Sequence, residues 1–328
     1  MSGVPISIPV PGIARFPIEL PGNPLKELNC YVILGGETGR NLLVDTGFHQ
    51  EACTRALLAG MEMLKLTPEN TDIFFTHLHS DHTGNGRELQ DRGYFLIMGR
   101  IDYGELVHND WDGRKRRALA EGMPRDVMEE IFRYNPATVL ASGPFKARTV
   151  EDGDELCYGE YRFRCILCPG HTPGHICLYD SEKKTMLTGD HVLFDITPNI
   201  TSRGLGTNAL GDYLESLKRV RFLEVEHALP GHRGTGQVSY SERIGQLLEH
   251  HARRIAETEA LVKEHPGQTA YEIAGEMKWK IHSRNWAEFP PGQKWFAVFE
   301  ALSHLEYLME EGRIRRDETE GLYRYFAQ

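Results

Sequence analysis

The feature that most constrains this chain is a cluster of histidines directly after an apolar segment. His77, His79, Asp81 and His82 follow the β-like run Asp72–Phe75. An extended backbone sends alternate side chains to one side, so the first three would share a face, and a turn would bring the fourth to them. Imidazole nitrogen and carboxylate oxygen are ligands of divalent ions such as zinc. The sequence therefore predicts a metal site at the end of this strand.

Three further candidate ligands stand at the ends of other apolar runs. His171 follows Tyr161–Leu167 in a turn rich in proline and glycine, Asp190 follows Thr185–Leu187, and His232 ends a third run. Positions just past a strand are where an open α/β sheet places its site. We therefore expect these side chains to converge with the histidine cluster.

The first two thirds of the chain alternate irregularly between β-like runs and helical periodicity, which predicts a layered α/β fold. The other predicted strands are Cys30–Leu34, Asn41–Val44, Tyr94–Met98 and His175–Tyr179. The predicted helices are Cys53–Leu64 and Ala209–Phe222, with a helical insert at Ile101–Pro136.

The composition changes after Gly236, and we place a domain boundary between residues 238 and 239. Ser239 is expected to cap a long helix that ends near His265. The elements predicted beyond it are two helices and a polar hairpin, at Thr269–Met277, Gln293–Glu311 and Arg313–Gln328. Helices followed by a hairpin indicate a small winged-helix-like domain over 239–328, after a catalytic domain over 1–238.

The order of the candidate ligands resembles the metallo-β-lactamase-fold superfamily. The pattern His-x-His-x-Asp-His, a later Pro-Gly-His, a Gly-Asp and a final His is present in order between about residues 25 and 236. This resemblance implies a four-layer αβ/βα sandwich with the site at one edge of two facing sheets. The C-terminal region and the segment after Asp190 are similar to a glyoxalase II-like branch of that superfamily.

The resemblance implies two metal ions joined by one carboxylate. The implied ligands are His77, His79 and His171 for one ion, Asp81, His82 and His232 for the other, and Asp190 as the bridge. Asp45, in a turn that the superfamily shares, would orient a ligand histidine. Two such ions can share a hydroxide that attacks the substrate, because metal binding lowers the pKa of water to about 7. The catalytic carboxylates would be Asp81 and Asp190, either of which could relay a proton to the leaving atom. Zinc suits these donors best, and iron or manganese would also fit.

The substrate-binding candidates carry a less specific signal than the metal ligands. His191 and Asn199 could line the substrate pocket, and packing inside the fold is an equal alternative for both. Four consecutive basic residues occupy 114–117 in the helical insert, which we expect to cover the active-site mouth as a lid. There Arg116 and Arg117 would grip an anionic substrate tail, although such charge runs usually form solvated helix faces.

The charge balance separates the candidate activities. The chain has 37 Lys and Arg against 47 Asp and Glu, and residues 239–328 have 12 against 15. Binding to nucleic acid requires a basic surface, so a ribonuclease or other phosphodiesterase is disfavoured. We expect a small anionic thioester or ester as substrate, such as an acyl-glutathione or acyl-CoA compound.

Other interpretations stay open at this point. Lactonases of this superfamily place a tyrosine shortly after the bridging aspartate, and His191–Phe194 has none. A redox enzyme would need iron and a flavin partner, and a metal-binding module without activity would not need every ligand position. Met1–Leu20 does not read as a signal peptide, which disfavours an exported β-lactam hydrolase. With no apolar run near the roughly 18 residues of a membrane span, we expect a cytoplasmic protein without a membrane partner; a homodimer is left open.

Overall fold

The early apolar runs form a seven-stranded sheet in the computed structural model. The structure describes residues 4–36, 39–108, 110–133, 139–279 and 285–328. The strands of the sheet, in spatial as in chain order, are β1 (Ser7–Val10), β2 (Ile13–Glu19), β3 (Glu27–Ile33), β4 (Asn41–Val44), β5 (Thr71–Phe75), β6 (Phe95–Gly99) and β7 (Arg148–Val150). Neighbours from β1 to β4 are antiparallel, and those from β4 to β7 are parallel.

Each face of this sheet carries a hydrophobic core, because successive side chains of a strand point to opposite faces. Ile73 and Phe75 of β5 belong to one core, and Phe74 belongs to the other. Helices on this half of the chain are α1 (Glu51–Met63), α2 (Ser80–Thr83), α3 (Gly86–Asp91) and α4 (Arg100–Val107). Helix α1 places Cys53 and Leu57, four positions apart, in the first core.

A five-stranded sheet covers the other face. Its spatial order is β12-β11-β10-β9-β8, formed by β8 (Glu155–Tyr158), β9 (Tyr161–Leu167), β10 (Ile176–Asp180), β11 (Thr185–Gly189) and β12 (His227–Pro230). Phe163, Leu178 and Leu187 of this sheet share the second core with Phe74 and Ile97 of the first sheet. The predicted α/β sandwich with two facing sheets is therefore confirmed.

Strand direction brings the loops of the site to one edge. Since β4, β5 and β6 are parallel, the segments that follow them leave at the same edge of their sheet. In the second sheet, the ends of β9, β11 and β12 also share an edge, because β9 and β11 are both antiparallel to β10 and β12 is parallel to β11. The predicted ligands follow β5, β9, β11 and β12.

The chain divides into two compact units, which differ from the predicted domains. The first comprises Met1–His108, Pro136–Pro198 and Arg219–Arg243, and contains both sheets. The second comprises Asn109–Asn135, Asn199–Lys218 and Ile244–Gln328. Most of the predicted insert thus groups with the C-terminal helices rather than with the two large sheets. The predicted end of the insert at Pro136 lies outside the described residues.

The second unit is mainly helical and ends in a two-stranded hairpin, as predicted. Its elements are α5 (Trp111–Ala120), α6 (Arg125–Arg133), most of α7 (Ala209–Val220) and of α8 (Tyr240–Glu264), α9 (Ala270–Glu276), α10 (Pro291–Glu310), β13 (Ile314–Thr319) and β14 (Leu322–Ala327). Phe132 of α6 makes edge contacts with Trp111 of α5 and Trp295 of α10, at centroid distances of 5.7 and 5.6 Å. These aromatic contacts are the physical reason that the insert joins the C-terminal helices.

Local signals placed most ends of these helices correctly. Glu242 N donates to Ser239 Oγ at 3.3 Å, which caps α8 at the predicted residue.

The sequence does not predict the strands β1 and β2, because Pro9, Pro11 and Pro17 indicate a broken segment. Proline is tolerated on sheet edges, and β1 pairs with β2 only from Ile13 to Arg15. None of the described helices combines the length and apolar character needed to cross a membrane.

Candidate metal centre

The histidine cluster directly follows β5, a strand that is buried along its whole length. After β5 the chain turns into α2, and His82 N donates to His79 O at 3.0 Å. This turn folds the fourth candidate back towards the first three. His77 and His79 lie close together, with Nε2 of the former 3.1 Å from Nδ1 of the latter.

The first group of candidate ligands consists of three histidines. His171, in the loop after β9, joins His77 and His79, and one ring nitrogen from each lies within 4.8 Å of the others. The His171 ring is 4.9 Å from that of His77 and 4.6 Å from that of His79, with both pairs nearly perpendicular. We refer to these residues as the three-histidine set.

The second group combines Asp81, His82 and His232. His232 Nε2 lies 3.3 Å from His82 Nε2 and 3.4 Å from Asp81 Oδ2. Both histidines are fully buried and Asp81 nearly so. We refer to these residues as the mixed set.

Asp190 lies between the two sets. Its Oδ2 is 3.7 Å from His171 Nε2 and 3.4 Å from His232 Nε2, and its Oδ1 is 3.6 Å from His82 Nε2. It also forms a third group with His77 and His82. The structure thus brings all seven predicted ligands together, and one carboxylate reaches both sets.

The spacing of these donor atoms fits metal coordination. Ligands that lie 2.0–2.2 Å from a tetrahedral ion are about 3.3–3.6 Å from each other. The distances among His82, His232, Asp81 and Asp190 fall mostly in or near that interval, between 3.3 and 3.9 Å. Nitrogen and oxygen donors of this kind suit a borderline divalent ion.

Asp45 holds His82 from the side away from the other ligands. Its Oδ2 lies 2.7 Å from His82 Nδ1, which leaves Nε2 of that ring for the site. Its two oxygens also accept hydrogen bonds from Thr76, from the backbone N at 2.9 Å and from Oγ1 at 2.8 Å. Asp45 has a φ of +62°, and this left-handed turn at the end of β4 aims its carboxylate at the histidine.

His232 is held by β3 of the seven-stranded sheet. Its Nδ1 donates to Glu27 O at 2.7 Å, while Asn29 Nδ2 donates to Pro230 O at 2.8 Å. Between them, Gly231 allows a close approach, since a Cβ there would lie 2.6 Å from Asp190 Oδ1. These contacts make β3 part of the site. Sequence reasoning missed Asn29, although a buried amide inside an otherwise apolar strand was an available signal.

His175 supports the shared carboxylate. Asp190 N donates to His175 Nε2 at 3.1 Å, and the ring of His175 stacks on that of His77 at 5.0 Å. Burial, together with the neighbouring histidine His191, holds the pKa of His175 well below its usual value, so its ring is neutral and accepts this hydrogen bond.

The two sets differ in electrostatics. Burial and the adjacent histidines hold the pKa of His77 well below its ordinary value. Burial also opposes charge on His82 and His232, but nearby carboxylates outweigh it and raise the pKa of both rings. For His82 these are Asp45, Asp190 and Asp81, and for His232 they are Asp190 and Asp81. The same pairs overcome burial at Asp81 and lower its pKa to about 2. Without an ion, the mixed set therefore favours protonated histidines, whereas the three-histidine set does not.

This difference predicts that metal binding is coupled to proton release. An imidazole must lose its proton to bind a metal, so ion binding should release up to two protons from His82 and His232. Apparent affinity should then rise by up to about a hundredfold per pH unit near neutrality. Competition with a chromophoric chelator at pH 6, 7 and 8 measures this rise. The variant His232→Ala should release one proton fewer, and affinity independent of pH would contradict the account.

The four predicted substrate-binding residues do not join the ligand groups. His191 is fully buried in the first unit, with its ring 6.1 Å from that of His175. Asn199, in the second unit, donates from Nδ2 to Glu300 Oε2 at 2.6 Å. These positions favour packing inside the fold over lining a pocket.

The two arginines of the basic run differ from one another. Arg116 is exposed on α5, as a substrate-binding role would require. Arg117 is buried, with Nε 2.6 Å from Glu121 Oε1 and an Nη 3.2 Å from Glu306 Oε1. The prediction for Arg117 is therefore corrected, because its charge is neutralised by two carboxylates of its own unit. For Arg116, the predicted contact with substrate stays a prediction.

Comparison with known proteins places the chain in a family. The sequence profile of the metallo-beta-lactamase superfamily matches residues 26–232. A beta-lactamase-like protein 2 homolog of Caenorhabditis elegans is 25% identical over 77% of this chain and 71% of that protein. An atrochrysone carboxyl ACP thioesterase of Aspergillus fumigatus is 24% identical over 72% of this chain and 61% of its own length.

Solved structures agree with this placement. A metallo-beta-lactamase family protein from Thermus thermophilus superimposes with a TM-score of 0.80 and 27% identity, covering 97% of this chain and 99% of that one. A beta-lactamase domain protein from Burkholderia ambifaria gives a TM-score of 0.78 at 24% identity, covering 98% and 95%, which shows the fold alone. The chain belongs to the metallo-beta-lactamase superfamily, most of whose members are metal-dependent hydrolases.

Proposed function

We propose that the chain is a hydrolase that uses two divalent ions, most naturally zinc, to cleave a thioester or ester. The observation that carries this proposal is the position of Asp190, whose Oδ2 lies within 3.7 Å of a histidine in each set. A carboxylate in this position would be available as a ligand to both sets. Iron and manganese fit the same donors. Location in the cytoplasm and assembly as a homodimer stay predictions.

Bound divalent ions would supply positive charge to polarise a carbonyl oxygen and to acidify water. The chain's own residues hold the geometry and the protons. Asp190 joins the two sets, while Asp45 and Glu27 O fix the rings of His82 and His232 through Nδ1. Asp81 and Asp190 have lowered pKa values, so both are ionised at neutral pH. Neither is therefore a ready general acid.

The protonation state of the two carboxylates favours thioesters. A thiol has a pKa of about 8.5, so a thiolate leaves more readily without a proton than an alkoxide does. A site with two ionised carboxylates suits such a leaving group. A relative from Aspergillus fumigatus is named as an ACP thioesterase, which supports the same substrate class. The net charge of −10 argues against nucleic acid as the substrate.

A substrate panel tests this proposal. We expect kcat/KM for an acyl-CoA or acyl-glutathione thioester to exceed that for an alkyl ester of the same acyl group, a lactone or bis(p-nitrophenyl) phosphate by about tenfold or more, in line with about 1.4 kcal/mol of better transition-state stabilisation. Chelator-treated protein serves as the control and should be inactive until a divalent ion is restored. Faster turnover of the phosphodiester would overturn the choice of substrate.

Arg116 offers a test of substrate charge. If this exposed side chain contacts an anionic tail, Arg116→Ala should raise KM for a charged thioester by up to about fivefold, since exposed charge pairs contribute about 1 kcal/mol at most. The KM of an uncharged thioester should not change. Arg253→Ala, an exposed arginine on α8 that pairs with Glu249, is the matched control. An unchanged KM for the charged thioester, or an equal rise in KM for both substrates, would remove Arg116 from the proposal.

A further inference from the structure

Asp102 links the two loops that carry the three-histidine set. This residue lies in the first turn of α4 and is fully buried. Its Oδ2 accepts hydrogen bonds from Leu78 N at 3.0 Å and from Thr172 Oγ1 at 2.6 Å. Its Oδ1 accepts a third from Gly174 N at 2.5 Å. One carboxylate therefore ties together two segments that are far apart in the chain.

The donors of these hydrogen bonds stand beside candidate ligands. Leu78 lies between His77 and His79, and Thr172 directly follows His171. A shift of either loop relative to α4 would break a hydrogen bond to a buried charged acceptor, which is among the stronger hydrogen bonds in proteins. The relative position of these three histidines thus depends on one side chain that touches none of the reacting groups.

Close packing restricts movement where the loop after His171 meets the start of α4. A Cβ at Gly174 would lie 2.2 Å from Asp102 N, and a Cβ at Gly99 would lie 2.7 Å from Gly174 O. The loop after His171 therefore packs directly against the start of α4. A carboxylate in the first turn of a helix also interacts favourably with the helix dipole.

We propose that Asp102 is a positioning residue for the three-histidine set and sets the affinity of that set for its ion. The proposal rests on the metal-dependent function proposed above. It predicts a selective effect, because the hydrogen bonds of Asp102 reach the segment between His77 and His79 and the loop after His171. The mixed set should keep its affinity when Asp102 is changed.

The test uses the full chain, freed of metal, with Co²⁺ as the probe. In a His232→Ala background, which leaves the three-histidine set complete, Asp102→Asn should weaken Co²⁺ binding by about 10–100-fold. In a His171→Ala background, which leaves the mixed set complete, the same change should alter affinity less than about threefold. The visible absorption of bound Co²⁺ reports occupancy and ligand geometry without any measurement of activity.

Equal weakening in both backgrounds, or none in the first, would overturn the proposal. Asp180→Asn is the matched control, since Asp180 is a buried carboxylate of the same unit that accepts hydrogen bonds from Arg162 N and Lys183 N. If Asp102→Asn does not fold, Thr172→Val removes one of the three hydrogen bonds and should weaken the three-histidine set about 3–10-fold. A wild-type chain that binds no Co²⁺ would instead refute the proposed function itself.

Discussion

Replacing Asp190 with asparagine should lower kcat/KM by about a thousandfold, which corresponds to about 4 kcal/mol of transition-state stabilisation. The side chain keeps its shape but loses the negative charge that faces His171, His82 and His232 within 3.7 Å. Both sets would lose a negatively charged donor, so each would bind a divalent ion less tightly. Steady-state kinetics with the best thioester of the panel measure this loss.

A matched variant separates chemistry from folding in this experiment. Asp180→Asn changes a buried carboxylate in the same unit that lies on β10 and accepts two backbone hydrogen bonds. It should keep kcat/KM within about threefold of the wild type, because its hydrogen bonds go to Arg162 N and Lys183 N rather than to the loops of the candidate ligands. An Asp190→Asn variant with full activity would contradict the role of this carboxylate as a bridge.

Replacing Arg117 with methionine should destabilise the second unit by about 3–5 kcal/mol, the usual cost of removing one partner of a buried ion pair. Arg117 contacts Glu121 and Glu306, and the Glu121 carboxylate also accepts a hydrogen bond from Tyr325 Oη at 2.9 Å. Both glutamates are almost completely buried. Without the guanidinium, two buried carboxylates would face each other with no cation between them.

The loss of stability should depend on pH. Burial already raises the pKa of Glu306 to about 7, against the opposing effect of Arg117, and loss of the arginine would raise it further. The folded variant would then hold protons that the unfolded chain releases above about pH 4.5. Unfolding free energy should therefore fall as pH rises, and the destabilisation should be larger at pH 8 than at pH 5.

Tryptophan fluorescence is well suited to this measurement. All four tryptophans, at positions 111, 279, 286 and 295, belong to the second unit. Urea unfolding followed by fluorescence thus reports on that unit in particular. Arg253→Met, which removes an exposed pair with Glu249, should change the free energy of unfolding by less than about 1 kcal/mol. A similar small effect for Arg117→Met would show that the buried pair is not needed.

The sequence predicts the convergence of the candidate ligands because these residues follow strands directly. His77 and Asp190 each stand one or two positions beyond a buried strand, and the parallel and antiparallel pairing of those strands determines where such residues meet. The strand Asn41–Val44 was placed at its observed bounds. Asp45 directly follows this strand, and its left-handed backbone conformation aims its carboxylate at His82.

The sequence could not show contacts that depend on distant packing. Asp102 has the sequence appearance of an ordinary acidic residue in the first turn of a helix, and its three hydrogen-bond donors lie 24 to 72 positions away. Arg117 looked like one of four basic residues on a solvated face, since the glutamate at 306 is 189 positions distant. Amphipathic patterns do not reveal which buried charges pair across such separations.

The central claim is that seven side chains hold two divalent ions, and the metal content of the purified chain tests it most directly. Protein prepared without chelators or affinity metals should contain about two equivalents of divalent metal per chain by inductively coupled plasma mass spectrometry. His171→Ala and His232→Ala should each retain about one. A folded wild-type chain that holds no metal, and takes up none on dialysis against zinc, manganese or iron(II), would contradict the account.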